Sequence, residues 1–125
     1  MNHQTIDDRN TALTIEDFAA LRENLHEQRL FRREQLQQLS AEANAVAVAD
    51  AVPERQGAAH IEVRVRLAAS ARMVLTDVEA ALDRMDQGRY GACHLCRGPI
   101  ARERLMIVPQ ARYCARCQQV REAYR

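Results

Sequence analysis

The feature that most constrains this chain is its set of four cysteines, all of which fall in two C-x-x-C pairs near the C-terminus. The pairs are Cys93-His94-Leu95-Cys96 and Cys114-Ala115-Arg116-Cys117, and seventeen residues, 97–113, separate them. This is the spacing of a structural site in which four thiolates surround one zinc ion. We therefore predict one structural Zn²⁺ bound by Cys93, Cys96, Cys114 and Cys117.

The residues around the two pairs support this prediction. Gly98 stands two residues after Cys96, where a zinc knuckle often needs a positive φ so that backbone N–H groups can face the sulfurs. The second pair leads into residues 118–124, a predicted short helix whose N-terminus suits thiolates. Two thioredoxin-type redox pairs and a disulfide framework are the alternatives. Neither is favoured, because no βαβ pattern surrounds the pairs and no segment indicates secretion.

The histidines do not indicate catalysis. His94 lies inside the first pair and could replace a cysteine as ligand, but four thiolates already complete a tetrahedron and leave no position for water. His3, His26 and His60 are isolated, and the sequence contains no Ser–His–Asp ordering or phosphate loop. We predict that the protein is not an enzyme.

Size and charge divide the chain into two parts. Residues 1–87 hold ten arginines and fifteen carboxylates, a formal charge of −5, whereas residues 88–125 hold eight arginines and two glutamates, a charge of +6. Zn²⁺ with four thiolates would lower the second value to about +4. The 38 residues after Gln87 are too few for a stable core of their own, so metal binding, on the order of 10 kcal/mol, would supply much of their folding free energy.

Residues 14–87 carry the pattern of two long helices. Thr14 and Asp17 form a short-armed variant of a capping box, and a helix is predicted from about 15 to about 50. Residues 51–57 contain a proline and a glycine and predict a turn; a second helix should follow to Gln87 and end at Gly88 as its C′ residue. The apolar stripes are Phe18, Leu21, Leu25, Leu36, Leu39, Ala43 and Val46 in the first helix, and Ile61, Val65, Ala68, Leu75, Val78, Leu82 and Met85 in the second.

The predicted fold is therefore mainly all-α. Residues 14–87 should form a long antiparallel helical hairpin (coiled coil), because helices joined by a short turn lie antiparallel, with the tip at about 50–57. Residues 88–125 should form a small four-cysteine zinc-finger head with a short C-terminal helix. The polar residues 1–13 are predicted to be disordered and contain no apolar signal segment, and no apolar run could span a membrane. We therefore expect a cytoplasmic protein with no membrane partner.

A helical hairpin followed by the segment 82–96, Leu-Asp-Arg-Met-Asp-Gln-Gly-Arg-Tyr-Gly-Ala-Cys-His-Leu-Cys, resembles the DksA/TraR family of bacterial transcription regulators. The resemblance continues through Pro99-Ile100, Arg104-Leu105, Pro109-Gln110-Ala111 and the second cysteine pair. It is close over residues 80–120 and follows the hairpin only in outline.

This resemblance implies a function. Family members insert the coiled coil into the secondary channel of RNA polymerase, grip the rim of the channel with the zinc finger, and bring acidic tip residues near the catalytic centre. Carried onto this chain, the acidic tip residues are Asp50 and Glu54, and Arg104 is the rim-facing residue, with Arg89 and Arg112 as further contact candidates.

Two departures from the family pattern affect this expectation. The best-studied tips carry two aspartates three residues apart followed by an alanine, whereas this chain has Asp50 with Val52 and Pro53. Responsive members use basic residues to bind the alarmone ppGpp at the positions of Val108 and Gln118, so ppGpp is a weak expectation as a partner.

The basic head also allows another function. Its arginines could contact nucleic acid, or the head could bind an acidic protein surface without acting on polymerase. Only Tyr90, Tyr113 and Tyr124 could stack on bases, and the sequence contains no separate recognition helix. Ordinary solvated surface is the simplest explanation of the same charges.

Overall fold

The computed structural model describes residues 13–49 and 54–124, with side chains described for residues 13–45 and 59–124. Within these residues lie four helices, α1 (Ile15–Ala49), α2 (Glu54–Asp86), α3 (Arg102–Ile107) and α4 (Ala115–Ala123). The same residues contain one isolated antiparallel bridge, between Ala92 and Pro99. The predicted mainly helical fold is confirmed. Of the predicted disordered segment 1–13, residues 1–12 lie outside the described residues, and so does the centre of the predicted tip, residues 50–53.

Helix α1 begins with the predicted capping box. The Asp17 backbone N–H donates to Thr14 Oγ1 at 3.0 Å, and the Thr14 backbone N–H donates to Asp17 Oδ2 at 3.2 Å. The side chain of each residue thus accepts a hydrogen bond from the backbone N–H of the other. Fewer N–H groups at this end of the helix are therefore left without an acceptor.

Helix α2 ends in a Schellman motif at the predicted glycine. Gly88 has φ +72°, its N–H donates to Met85 O at 3.3 Å, and the Arg89 N–H donates to Arg84 O at 2.8 Å. These are the two bonds that define the motif, and the left-handed residue at its centre favours glycine. The chain therefore leaves α2 in a fixed direction at Gly88, four residues before the bridge residue Ala92 and five before Cys93.

Helix α2 begins earlier than the sequence indicated. The predicted turn covered residues 51–57, but Glu54 is already the first residue of the helix and Gly57 lies within its first turn. A glycine costs about 1 kcal/mol in a helix interior. A helix of 33 residues tolerates one such position near its end.

Contacts within the chain separate residues 13–26 and 77–124 from residues 27–76, and we describe the two units in turn. In the first unit the start of α1 and the end of α2 lie side by side, and Arg22 Nη2 lies 3.1 Å from Asp86 Oδ1. The pairing of an early residue of α1 with the last residue of α2 shows that the helices are antiparallel, as predicted. Most of the buried apolar side chains belong to this unit: Leu21, Leu25, Val78, Ala81, Leu82, Met85, Cys93, Ile100, Leu105 and Ala111.

The second unit consists of the remaining lengths of α1 and α2. Arg64 Nε lies 3.6 Å from Glu42 Oε2, and Arg66 pairs with Glu62 one turn earlier, as the i,i+4 spacing predicts. In its described side chains, Ala71 is the one fully buried apolar residue. This unit therefore has little core, and most of the residues along the inward faces of its two helices are only half-buried.

One part of the predicted α2 stripe is wrong. Ile61 and Val65 are 56% and 61% exposed, whereas Ala68 and Leu75 on the same predicted stripe are half-buried. The inward face runs through residues 64, 68, 71 and 75, because that series keeps the 3.6-residue period back from the buried Val78. Ile61 and Val65 fall beside this face.

In the described part of the chain, no helix is both long and apolar enough to cross a bilayer.

A bidentate ion pair joins the first turn of α1 to α3. Arg102 Nε and Nη2 donate to the two carboxylate oxygens of Asp17 at 2.7 and 2.8 Å. The hydrogen bond from Arg102 is the main reason that the pKa of Asp17 is lowered, with the Thr14 backbone N–H second. A carboxyl group with a lowered pKa adds stability above its unfolded pKa of about 4, and this contribution is lost as the pH falls. At pH 7 the pair is therefore fully formed.

Leu25→Ala should destabilise the zinc-loaded protein by about 2–5 kcal/mol, because Leu25 is fully buried and the smaller side chain leaves a cavity. Urea unfolding followed by circular dichroism measures the change. Leu30→Ala is the matched control on the same helix, since Leu30 is 58% exposed, and it should change stability by less than about 0.5 kcal/mol. Equal effects of the two substitutions would contradict the core described above.

Asp17→Asn and Arg102→Gln should each lower the thermal midpoint of the zinc-loaded protein at pH 7, and the double variant should be little worse than either single variant. The reason is that both substitutions remove the same bidentate pair. Differential scanning calorimetry on the four proteins checks this. Strictly additive losses would show that the two residues do not act as a pair.

Candidate metal centre

The first cysteine pair lies in a tight knuckle that follows α2. The Cys93 N–H donates to Gly98 O at 2.8 Å, the Arg97 N–H donates to Cys93 O at 3.0 Å, and the Ile100 N–H donates to Gly91 O at 2.8 Å. Gly91 has φ +90°, and a Cβ built there would lie 3.7 Å from Leu105 Cδ1. The left-handed backbone at Gly91, rather than lack of space, is what favours glycine here. The knuckle thus fixes both cysteines of the pair by backbone bonds.

The predicted role of Gly98 is only half right. Its N–H points to Cys96 Sγ at 3.4 Å, as expected for a zinc knuckle, but its φ is not positive. Arg97 takes the left-handed conformation instead, with φ +63°. A non-glycine residue is uncommon in that region, and the closing backbone bonds on both sides of Arg97 hold it there.

The second pair lies at the start of α4, as the sequence predicts. Cys114 is the N-cap residue, and its Sγ accepts a hydrogen bond from the Cys117 N–H at 3.5 Å. The positive end of the helix therefore faces the sulfurs. One further backbone bond, from the His94 N–H to Arg112 O at 2.8 Å, ties the first knuckle to the strand-like segment that leads to the second pair.

The four sulfur atoms converge on one point. All four Sγ atoms lie within 4.8 Å of one another, and Cys96 Sγ lies 3.9 Å from Cys114 Sγ. A tetrahedral zinc ion with Zn–S bonds of about 2.3 Å holds its sulfurs about 3.8 Å apart. The donor set and its dimensions therefore fit one Zn²⁺. His94 does not belong to this group; its ring packs edge-on against Tyr113 with centroids 6.0 Å apart.

The electrostatics of the sulfurs also call for a cation. Burial acts to raise the pKa of Cys93, but backbone N–H groups directed at its sulfur outweigh burial and lower the pKa to about 6. The pKa of Cys117 is raised to about 12, first because its thiol hydrogen-bonds to Cys114 Sγ and second because of burial. Four adjacent thiolates therefore repel one another. A divalent ion removes this repulsion, and coordination deprotonates the thiols.

The metal centre is continuous with the apolar core of the first unit. Cys93 is buried together with Ile100 and Leu105, whereas Cys96 is exposed at the far side of the knuckle. Tyr90, just after α2, donates its hydroxyl to Pro109 O at 2.8 Å, and burial raises its pKa to about 12. The finger therefore continues the apolar core at the end of the hairpin, and a partly buried hydrogen bond closes the finger beside that end.

The predicted contact residues lie in different surroundings. Arg104 is half-buried, and its Nε donates to Tyr113 O at 2.9 Å. Arg112 donates from Nε and Nη2 to Asp77 Oδ1 at 3.1 and 3.0 Å. Arg89 is exposed and bonds to Gln87. For the predicted tip, Asp50 lies outside the described residues, and Glu54 is the first residue of α2, with its side chain outside the described ones.

Sequence reasoning missed one charged residue beside the metal centre. Arg84 is 6% exposed, and Arg84 Nη2 donates to Ala111 O at the long distance of 3.4 Å. Desolvation lowers its pKa, and the positive charges of Arg112 and Arg89 add to this effect. The position of Arg84 in the sequence could have indicated that it is buried, because it lies between Leu82 and Met85 and three residues after Ala81, on the inward face of α2. That placement made an exposed arginine improbable.

Cys93→Ser should lower zinc affinity by at least about 100-fold and unfold the finger, because three thiolates and a hydroxyl make a much weaker donor set. Zinc content by elemental analysis and amide exchange of residues 88–124 measure the two effects. His94→Ala is the neighbouring control and should retain one zinc ion per chain. Full zinc content in Cys93→Ser, or loss of zinc in His94→Ala, would contradict the four-thiolate assignment.

Comparisons with known proteins agree with this geometry. The sequence profile of the prokaryotic dksA/traR C4-type zinc finger matches residues 88–123. An uncharacterized protein of Aquifex aeolicus (strain VF5) is 40% identical over 43 residues, which are 34% of this chain and 30% of that protein. The chain thus matches less than a third of that relative.

A solved structure is similar over most of the chain. It is the structure of transcription factor DksA2 from Pseudomonas aeruginosa, with a TM-score of 0.72 and 23% sequence identity over 88% of this chain and 86% of that one. At this identity the likeness shows a shared fold. The matching profile and the four converging sulfurs agree on the same segment: residues 88–123 are similar to the C4-type zinc finger of the dksA/traR family.

Proposed function

We propose that this protein is a transcription regulator that binds RNA polymerase and inserts its helical hairpin into the secondary channel. The observation that carries the proposal is the combination of a DksA/TraR zinc finger with a fold similar to that of transcription factor DksA2. In this proposal the finger contacts the outside of the enzyme, and the tip of the hairpin approaches the active centre. The proposed partner places the protein in the cytoplasm.

The construction of the finger supports a role in docking. The zinc ion and the Tyr90–Pro109 bond hold the finger together, and the Asp17–Arg102 ion pair fixes it to the base of the hairpin within one unit. If contacts made by the finger are to set the position of the hairpin, the connection between the two must be rigid. A flexible connection would have to be ordered on binding, and that loss of conformational entropy would reduce the binding free energy. The hairpin has little core of its own, which suits a probe better than a ligand-binding domain.

The arginine contacts weigh against nucleic acid as the main partner. Arg102, Arg104 and Arg112 each donate to a carboxylate or carbonyl oxygen within the chain, and the Arg121 guanidinium lies 4.4 Å above the Tyr113 ring. Arginine side chains that are already bonded within the chain are less available to contact successive phosphates of a nucleic acid. Catalysis is not proposed, because four thiolates fill the coordination sphere of zinc. We also propose no response to ppGpp, since Gln118 bonds to Glu122 and Val108 carries no charge.

The zinc-loaded protein should bind core RNA polymerase in a pull-down assay, and a known secondary-channel protein should compete with it. The double variant Asp50→Ala, Glu54→Ala should retain this binding but change the transcript yield in vitro by several-fold, because the tip carries the acidic groups that approach the active centre. Filter-binding or electrophoretic measurement of transcripts quantifies the change.

Glu34→Ala is the matched control, since Glu34 is an exposed acidic residue on α1 far along the chain from the tip. It should leave both binding and transcript yield unchanged. Absence of polymerase binding at micromolar concentration would end the proposal. Binding with unchanged transcript yield in the double tip variant would remove the role assigned to Asp50 and Glu54.

A further inference from the structure

A cavity beside the metal centre is lined by three arginines. It has a volume of about 410 Å³, and its walls are formed by Arg84, Arg89, Ala92, Cys93, His94 and Arg97. None of these six residues carries a carboxylate. Val108 and Gln118 do not line it. The cavity therefore gathers three arginines beside Cys93, the one zinc ligand that lines it.

We propose that this cavity binds a dianionic phosphate group. The guanidinium is the side chain best matched to phosphate, because it presents a planar fork of N–H donors that can bind two oxygens at once. Three such groups around one cavity provide enough donors for a tetrahedral oxyanion with charge −2. The proposal does not depend on polymerase binding, and it can be tested on the protein alone.

The strongest observation is the state of Arg84. A buried cation normally has a carboxylate partner, because desolvation of an unpaired charge is costly. Among residues 13–45 and 59–124, no ion pair involves Arg84, and its one hydrogen bond is the long one to Ala111 O. A guanidinium has five N–H donors, so most of its capacity is left for a ligand in the cavity that it lines.

The other two arginines complete the donor set. Arg97 is exposed, and in the described part of the chain its side chain forms no hydrogen bond or ion pair; its left-handed backbone fixes where the side chain leaves the knuckle. Arg89 follows the Schellman motif at the end of α2 and bonds only to the neutral Gln87. The nearest paired arginine, Arg112, is neutralised by Asp77, yet it still contributes to the lowered pKa of Arg84. The charge of Asp77 acts on Arg84 in the opposite direction, but Asp77 forms its ion pair with Arg112.

A second cavity of about 520 Å³ shares Arg89, Ala92 and Arg97 with the first. It is more apolar, since its other lining residues include Leu13, Phe18, Tyr90 and Pro99. The same phosphate group could come from free inorganic phosphate or from a monoester whose organic part occupies this second cavity. Both sources use the same arginines, and two probes can separate them.

The test is a titration of the full-length, zinc-loaded protein with inorganic phosphate at constant ionic strength, observed through the Nε–H signals of the arginines by NMR. Signals of Arg84, Arg89 and Arg97 should shift in a saturable way. Arg89→Gln and Arg97→Gln should each weaken binding by about ten-fold, because each removes a charged donor. Arg66→Gln is the control: Arg66 is an exposed arginine paired with Glu62 on α2, and its loss should have no effect.

Arg84→Lys tests the buried residue while keeping its charge, and it should also weaken phosphate binding because the fork of donors is lost. Phenyl phosphate is the second probe. Tighter binding than that of inorganic phosphate identifies a monoester with an apolar group, and equal or weaker binding identifies free phosphate; both outcomes support a phosphate site.

Three results would overturn the proposal. The first is a shift that stays linear in phosphate and is equal in all variants. The second is unchanged phosphate binding in Arg89→Gln and Arg97→Gln together with faster zinc loss to a chelator, which would show that the arginines only balance the charge of the zinc thiolates. The third is tighter binding of a single-stranded oligonucleotide than of either phosphate probe, lost in the same two variants, which would assign the arginines to a nucleic-acid backbone.

Discussion

The convergence of four sulfurs is the constraint on which the finger depends. Without a cation, sulfurs within 4.8 Å of one another oppose their own ionisation, as the pKa of about 12 at Cys117 indicates. With a zinc ion, the same proximity becomes four bonds that join the knuckle after α2 to the start of α4. The segment has few other means of stability, since Ile100, Leu105, Pro109 and Ala111 are its only buried apolar side chains, among those described, besides Cys93. Metal binding and folding of this part are therefore one process.

The attachment of the finger to the hairpin uses a different kind of interaction. The Schellman motif at Gly88 directs the chain, Tyr90 and Arg84 bond to carbonyl groups of residues 109 and 111, and Arg102 reaches back to Asp17. The contacts of Arg84 and Arg102 join the finger to helix ends, and the Tyr90 bond closes the finger next to the end of α2. The zinc ion fixes the finger internally, and these polar ties fix its base. Both are needed if the finger is to act as a rigid mount for two helices.

Local signals in the sequence predicted much of this arrangement, because they act over a few residues. The capping box at Thr14 and the C′ glycine at position 88 are such signals, and so is the C-x-x-C spacing. The predictions were wrong where contacts in the folded chain determine which residue takes the left-handed conformation and which face of a helix is buried. Arg97 takes the left-handed conformation beside Gly98 because backbone bonds close on both sides of it. Ile61 and Val65 had the right spacing for an inward stripe, but the register set by Val78 places them outside it.

Other features could not be predicted from local patterns at all. Asp17 and Arg102 are 85 residues apart, and only the folded chain brings them together. Arg84 illustrates the same limit: its position on α2 indicated burial, but nothing in the sequence indicated which group would accept its hydrogen bonds. The structure provides a single carbonyl oxygen at 3.4 Å, next to a cavity with two further arginines.

Retaining a charge in such a place costs free energy, and two anions could offset that cost. One is the zinc-thiolate cluster with its charge of −2, which touches the cavity through Cys93. It is fixed on one side of the arginines and cannot accept hydrogen bonds from all of their donors. The other is a ligand that enters the cavity, where oxygen atoms can meet several guanidinium groups at once. The donors favour the second, because the guanidinium groups of Arg84 and Arg97 keep N–H donors without a partner in the described part of the chain, and both residues line the cavity.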